Sequence, residues 1–172
     1  MRCIFIFFLA ICSCTSEPET KVKDVNWTKH NSTDLNKNLA IQEGIDIQLF
    51  LEMHKDWSMT KTGTGLQYYI YEHGVIDSTY SPRKGNLAEL EYEMTLMDGT
   101  VCDKTEADEY VELMVDNSDI ESGVQEAVKL LSIGDHAKLI IPSHIGHGLV
   151  GDLDKIPPLT TLIIDIHLIG VK

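Results

Sequence analysis

His144 and His147 stand three apart on a glycine-rich stretch that also holds Asp152. Two imidazoles and a carboxylate are metal-ligand types. Metal sites usually supply more ligands at defined spacing, so solvent-facing loop histidines are the plainer reading, and no metal or other cofactor is expected. The run from Asp103 to Glu109 carries four acids and reads as a solvated loop. Of the four cysteines, Cys3, Cys12 and Cys14 crowd the N-terminus and Cys102 stands apart. No intrachain disulfide is expected from that distribution. Tyr92 is either a site aromatic or plain core packing. Asp103 either faces a ligand or caps locally.

The 172-residue chain has 43% hydrophobic and 24% charged residues, which suits one globular domain with appendages. Its formal net charge of -13 argues against nucleic acid, because phosphate binding needs clustered Lys and Arg. The start reads as an export signal over residues 1–13. Met1-Arg2 is positive, and Ile4 to Ile11 is apolar but too short to span a bilayer as a helix. Ile11-Cys12-Ser13-Cys14 resembles a bacterial lipobox, in which the last Cys becomes lipid-modified and N-terminal after cleavage. Cys14 is the expected lipidation site, since bulky Ile11 would precede a cut at Cys12. The alternative is an ordinary cleaved signal with an incidental Cys. Lipidation implies an extracytoplasmic protein anchored at a membrane, on its periplasmic face or at the outer membrane.

The elements that must position any site follow from periodicity. Residues 14–39 are polar and without period, as in a flexible linker. Ile41, Ile45, Leu49, Met53 and Trp57 recur every four residues, with Ile47 and Phe50 widening the stripe, so a helix is expected from about residue 40 to residue 55. Residues 40–61 form this N-terminal helical segment. From Thr62 the pattern turns to short strands. Ala88, Leu90, Tyr92, Met94 and Leu96 alternate with Glu89, Glu91, Glu93 and Thr95, a half-buried strand. Asp98-Gly99 signals a turn. Ser122 with Gln125 fits a capping box that opens a helix over 123–131. Further strands are expected over 136–142 and 161–169. The sum is α+β, a curved antiparallel sheet of five or six strands packed on one short helix and preceded by the N-terminal helix.

Several ordered motifs in residues 62–172 resemble the FKBP family of peptidyl-prolyl isomerases. Thr62-Gly63-Thr64-Gly65-Leu66-Gln67-Tyr68 looks like the first strand of its bacterial members. Leu90-Glu91-Tyr92 and then Asp98-Gly99-Thr100-Val101-Cys102-Asp103 look like the family's Tyr strand, Asp-Gly turn and Phe-Asp pair. Ile120-Glu121-Ser122-Gly123-Val124 parallels the segment that ends in Gly-Trp and opens the helix. Ile141-Pro142-Ser143-His144 with Gly146-His147-Gly148, and Ile156-Pro157-Pro158, parallel the Ala-Tyr-Gly loop and the Ile-Pro-Pro turn. The signal, the segment His54-Lys55-Asp56-Trp57 and the Pro-Ser-His loop together look like the isomerase lipoproteins associated with gliding motility in Bacteroidetes.

The resemblance implies an isomerase of proline-containing polypeptide segments that assists the folding of exported or envelope proteins. Its catalytic positions fall on Tyr92, Asp103 and Ile156. Its substrate-binding positions fall on Cys102, Val111, Ile120, Glu121, Val124, His147 and Ile164, with Tyr110 in place of Val111 if the loop shifts by one. Glu121 takes the place of the residue whose backbone N–H meets a ligand carbonyl. Cys102, Val124, His147 and Ile164 stand where the family has aromatics, so the implied pocket is apolar but thinned. The other reading is a binding module of an envelope complex that kept the fold and lost most catalysis.

Overall fold

The computed structural model describes residues 29–74, 80–117 and 119–172. The expected signal, the lipobox with Cys14 and the first part of the linker lie outside the described residues. The first element, α1, runs Lys29–Met53, and so begins inside the stretch expected to be a flexible linker. Local bonds explain the extension. The Thr33 hydroxyl donates to Lys29 O at 3.0 Å, and His30 Nε2 lies 3.2 Å from Asp34 Oδ2 one turn on. Such i,i+4 contacts support a helix without any apolar period.

Seven strands form one sheet: β1 (Thr60–Lys61), β2 (Gln67–Glu72), β3 (Leu87–Leu96), β4 (Val101–Lys104), β5 (Val111–Met114), β6 (His136–Ile141) and β7 (Leu162–Val171). Their order is β1-β2-β6-β7-β3-β4, all antiparallel, and β5 shares an edge of β3 with β4. The expected count of five or six misses β1, which is too short to show alternation. The second helix, α2 (Ser122–Val128), is shorter than expected and lacks the capping box. Ser122 Oγ donates instead to Ile145 O at 3.3 Å, and Gln125 Oε1 accepts from Asp116 N. Gly123 lets α2 press on β6, because a Cβ there would lie 2.6 Å from Ile141 Cγ2.

The sheet has a helix on each face. Leu90, Met94, Leu139, Ile141, Leu162, Ile164, Ile166 and Leu168 pack with Val124, Ala127, Val128 and Leu131 on the α2 face. Ile140 and Ile163, of opposite parity, receive Ile47 and Phe50 of α1. The regular stripe Ile41, Ile45, Leu49, Met53 is 46% to 75% exposed, and the docked stripe is the less apolar line Glu43, Ile47, Phe50, His54. The end of α1 is secured by rings, with Phe50 stacked on His54 at 4.1 Å and His54 against Trp57 at 4.6 Å.

Leu139 and Ile166 are fully enclosed on the α2 face, at 0% and 2% exposure. Truncating either to Ala should cost about 2–5 kcal/mol through lost transfer and cavity formation. Urea unfolding checks this; midpoints equal to wild type would mean that these faces are misassigned.

Candidate functional site

The site is built where β3, β4, α2 and the loop between β6 and β7 meet. β3 turns into β4 at Asp98-Gly99. Thr100 N donates to Asp98 Oδ1 at 2.9 Å, and Gly99 takes a φ of 87°. The bond from Thr100 holds the Asp98 carboxyl below the usual carboxylate range. The β3–β4 register then shifts: Asp103 faces Met94, whereas Val101 faces Thr95. Cys102 is the extra residue of this bulge. The bulge is why Cys102 and Asp103, though adjacent, both line one cavity.

Tyr92 Oη donates to Asp103 Oδ2 at 2.5 Å. Burial pushes the phenol well above its ordinary pKa, and the bond to Asp103 and the nearby charges of Asp103 and Glu121 add to it. The pair thus presents a neutral phenol locked on a carboxylate at a cavity edge. That cavity has a volume of about 240 Å³ and is mainly apolar. Tyr92, Val111, Ile120, Val124, Ile164 and Ile166 line it, with Leu90, Met94 and Leu113. Val111 lines it and not Tyr110, whose ring lies 49% exposed against Lys172.

A second, more polar cavity of about 300 Å³ adjoins it, sharing Met94, Asp103 and Glu121. It is lined by Cys102, His147, Asp152, Asp154, Lys155 and Ile156. His147 Nε2 meets Glu121 Oε1 at 2.6 Å, joining the loop to the residue before α2. His144 turns elsewhere, its Nε2 meeting Thr64 O at 2.8 Å. The two histidines and Asp152 therefore do not converge, and among the described residues no group of three His, Cys, Asp or Glu side chains could hold a metal ion. Cys102 is buried, which raises its thiol pKa, with the Asp152 charge adding to the effect. It is a packing sulfur rather than a nucleophile.

The loop is set by its own polar groups. Asp152 Oδ1 accepts from Asp154 N at 2.9 Å and Ile156 N at 2.7 Å, and Asp152 N donates to Ile156 O at 3.1 Å. Gly151, at φ 72°, is required here, since a Cβ would lie 2.0 Å from Ile156 O. Lys155 Nζ donates to Cys102 O at 2.9 Å, latching the loop to β4. Sequence reading missed Met94 and Lys155 in the site. Met94 shares the face of Tyr92 on β3 and could have been found by alternation; Lys155 carries no signal. A larger opening, about 600 Å³, lies between α1 and the loop, lined by Glu43, Met97, Leu149 and Thr161. It lies beside α1, on the sheet face opposite Tyr92 and Asp103, so the smaller pair of cavities is taken as the site.

Residues 78–169 match the FKBP-type peptidyl-prolyl cis-trans isomerase family. The chain belongs to this family. It is 36% identical over 110 residues to the outer membrane protein MIP of Legionella longbeachae, covering 63% of this chain and 45% of that one. It is 33% identical over 96 residues to the peptidyl-prolyl cis-trans isomerase Fkbp12 of Drosophila melanogaster, covering 55% of this chain and 88% of that one. The crystal structure of FkpA from Escherichia coli superposes with a TM-score of 0.66 at 26% identity, covering 83% of this chain and 64% of that one. The chain covers 39% to 51% of the length of the MIP and FkpA sequences it matches.

The Asp152 carboxyl is held below the usual carboxylate range because its ionised form accepts the Asp154 and Ile156 amides. A depressed folded pKa gives order that is present above the unfolded value of about 3.9 and lost as pH falls through the lower folded value. Hydrogen exchange at the Ile156 amide, corrected for intrinsic rate, should stay protected from neutral pH to about pH 4 and lose protection only below it. Asp152→Ala should remove that protection at every pH. Equal protection in the variant would show that other bonds hold Ile156.

Proposed function

We propose that this chain is a peptidyl-prolyl cis-trans isomerase of modest turnover that acts on proline-containing segments of exported proteins. The observation that carries the reading is the bond from Tyr92 to Asp103 at the edge of an apolar cavity that reaches Val124 on α2. Amide resonance sets a rotation barrier of about 18–20 kcal/mol. X-Pro bonds populate both isomers and exchange over tens to hundreds of seconds unaided. No covalent step is needed: a dry pocket that holds the twisted amide better than the planar one lowers the barrier. Val124, Ile156 and Ile164 supply apolar walls, and Tyr92, Asp103 and Glu121 supply polar groups for orientation. Cys102 and His147 give softer, more polar surfaces.

The thinned pocket favours a second reading, a binding module of an envelope complex with little catalysis. Aliphatic walls hold a proline ring in the ground state but distinguish the twisted amide less. A lipid-anchored location follows from the resemblance of Ile11-Cys12-Ser13-Cys14 to a lipobox, and a relative named as an outer membrane protein is in keeping with it. Among the described residues no helix is long and apolar enough to cross a membrane. A link to gliding motility rests on the His54-Lys55-Asp56-Trp57 segment and the Pro-Ser-His loop alone.

A protease-coupled isomerisation assay on the soluble form starting after Cys14 separates the two readings. The expected result is turnover above background and below that of Fkbp12 measured alongside. Each transition-state contact worth about 1.4 kcal/mol changes the rate tenfold. The double variant Cys102→Phe, Val124→Trp should therefore raise turnover more than peptide affinity. A folded variant with unchanged turnover would show that the missing rings do not limit the rate. For anchoring, Cys14→Ala should move the protein from membrane to soluble fractions, because stable attachment needs lipid chains on that residue; unchanged partition would remove Cys14 from the account.

A further inference from the structure

Glu43 sits where α1 crosses the base of the loop between β6 and β7. Its Oε1 accepts from Ser143 N at 2.6 Å and from Thr161 Oγ1 at 2.7 Å, and its Oε2 accepts from Ser143 Oγ at 3.1 Å. Ser143 and Thr161 are buried polar residues, at 5% and 1% exposure. They also bound the loop: Ser143 opens the 3-10 turn Ser143–Ile145 that follows β6, and Thr161 precedes β7. One carboxylate from α1 thus ties the loop's two ends together. His147, Asp152, Lys155 and Ile156 all lie between them.

The loop needs such a tie. Leu153 and Leu159 have φ values of 66° and 57°. Bulky side chains in this left-handed region are strained and persist only where the surroundings over-determine them. The tie is transmitted along the backbone, because Gly146 N and Gly148 N both donate to Ser143 O, on either side of His147. Without Glu43, the Ser143 amide and the Thr161 hydroxyl would lose their acceptor in a buried setting, which is costly. Glu43 lies outside residues 78–169, so the family-matched part of the chain does not supply this bond.

We propose that Glu43 is a positioning residue that clamps Ser143 to Thr161, so that the placement of His147 and Ile156 at the isomerase site depends on α1 being docked. The proposal rests on the isomerase reading for its activity readout, but not for its structural one. Glu43 lines neither cavity of the site and acts only through the loop.

The test uses the full-length chain in detergent and its variants Glu43→Ala and Glu43→Gln. Protease-coupled isomerisation of a proline-containing tetrapeptide gives kcat and KM, and hydrogen exchange reports loop order. Glu43→Ala should lower kcat/KM about tenfold, mainly by lowering kcat, a loss of about 1.4 kcal/mol. Amides from Gly146 to Ile156 should exchange faster while those of β3 and β7 stay protected. Glu43→Gln keeps an oxygen for Ser143 N and Thr161 Oγ1 and should restore most of both readouts. A folded Glu43→Ala protein with wild-type kcat/KM and wild-type loop exchange overturns the proposal, as does a lowered urea midpoint with kcat/KM unchanged. Should Glu43→Ala not fold, Thr161→Val removes one bond while keeping side-chain shape; faster loop exchange and lowered kcat support the clamp, and their absence overturns it. If the wild-type protein does not isomerise the peptide, the functional reading fails, and loop exchange alone decides the clamp.

Discussion

Along β3, Leu90 lies opposite Leu168, Tyr92 opposite Ile166 and Met94 opposite Ile164 of β7. Side chains alternate across a sheet, so this register sends Tyr92 and Met94 toward α2 and sends Glu91, Glu93 and Thr95 toward the other face. A slip of one residue would exchange the two sets, putting carboxylates into the cavity and Tyr92 out of reach of Asp103. The pairing of β7 with β6 sets Ile163 beside Ile140 as the seat of α1. Both the site and the helix that supports it from behind therefore depend on β7 and its pairings on either side.

What could be read from the sequence follows from how local each signal is. The β3 alternation and the Asp98-Gly99 turn are local, and they place Tyr92 and Asp103 within reach of each other. The motif spacing that placed Val111, Val124 and Ile164 brings them to one cavity. On α1 periodicity gives the helix but not its docked line, because it ranks stripes by apolar content. The sheet selected Glu43, Ile47, Phe50 and His54 because those residues match a seat with polar groups at one end and aromatic contacts at the other. Ser122 and Gln125 show the same competition: each side chain fits a local cap, yet each is taken by a tertiary partner, Ile145 O and Asp116 N.

Aromatic rings shape a pocket by their own rigidity. Here the walls at Cys102, Val124 and Ile164 carry no ring, so they must be held by their backbone. The structure places polar bonds at those points. Asp152 holds the amide of Ile156, Lys155 holds the carbonyl of Cys102, and Glu121 meets His147. Each bond joins two segments far apart in sequence or fixes a residue that strand pairing leaves free. A polar bond between protein groups contributes modestly in net terms, and more when one partner is charged. Several of them can therefore stand in for lost ring packing as constraints on geometry, although they exclude less water.

That substitution changes where the site can fail. A ring removed from an aromatic pocket leaves a void at the point of chemistry. A polar tie removed from this loop leaves the cavity walls intact and loosens the segment that carries two of them. Ground-state binding tolerates such loosening better than the twisted amide does, because only the transition state needs the walls and the polar groups together. The phenol–carboxylate pair cannot compensate, since Tyr92 and Asp103 belong to β3 and β4 and do not follow the loop. On the isomerase reading proposed above, turnover would thus depend on residues that never meet the substrate, in proportion to how much of the pocket wall is carried by the loop between β6 and β7 rather than by the sheet.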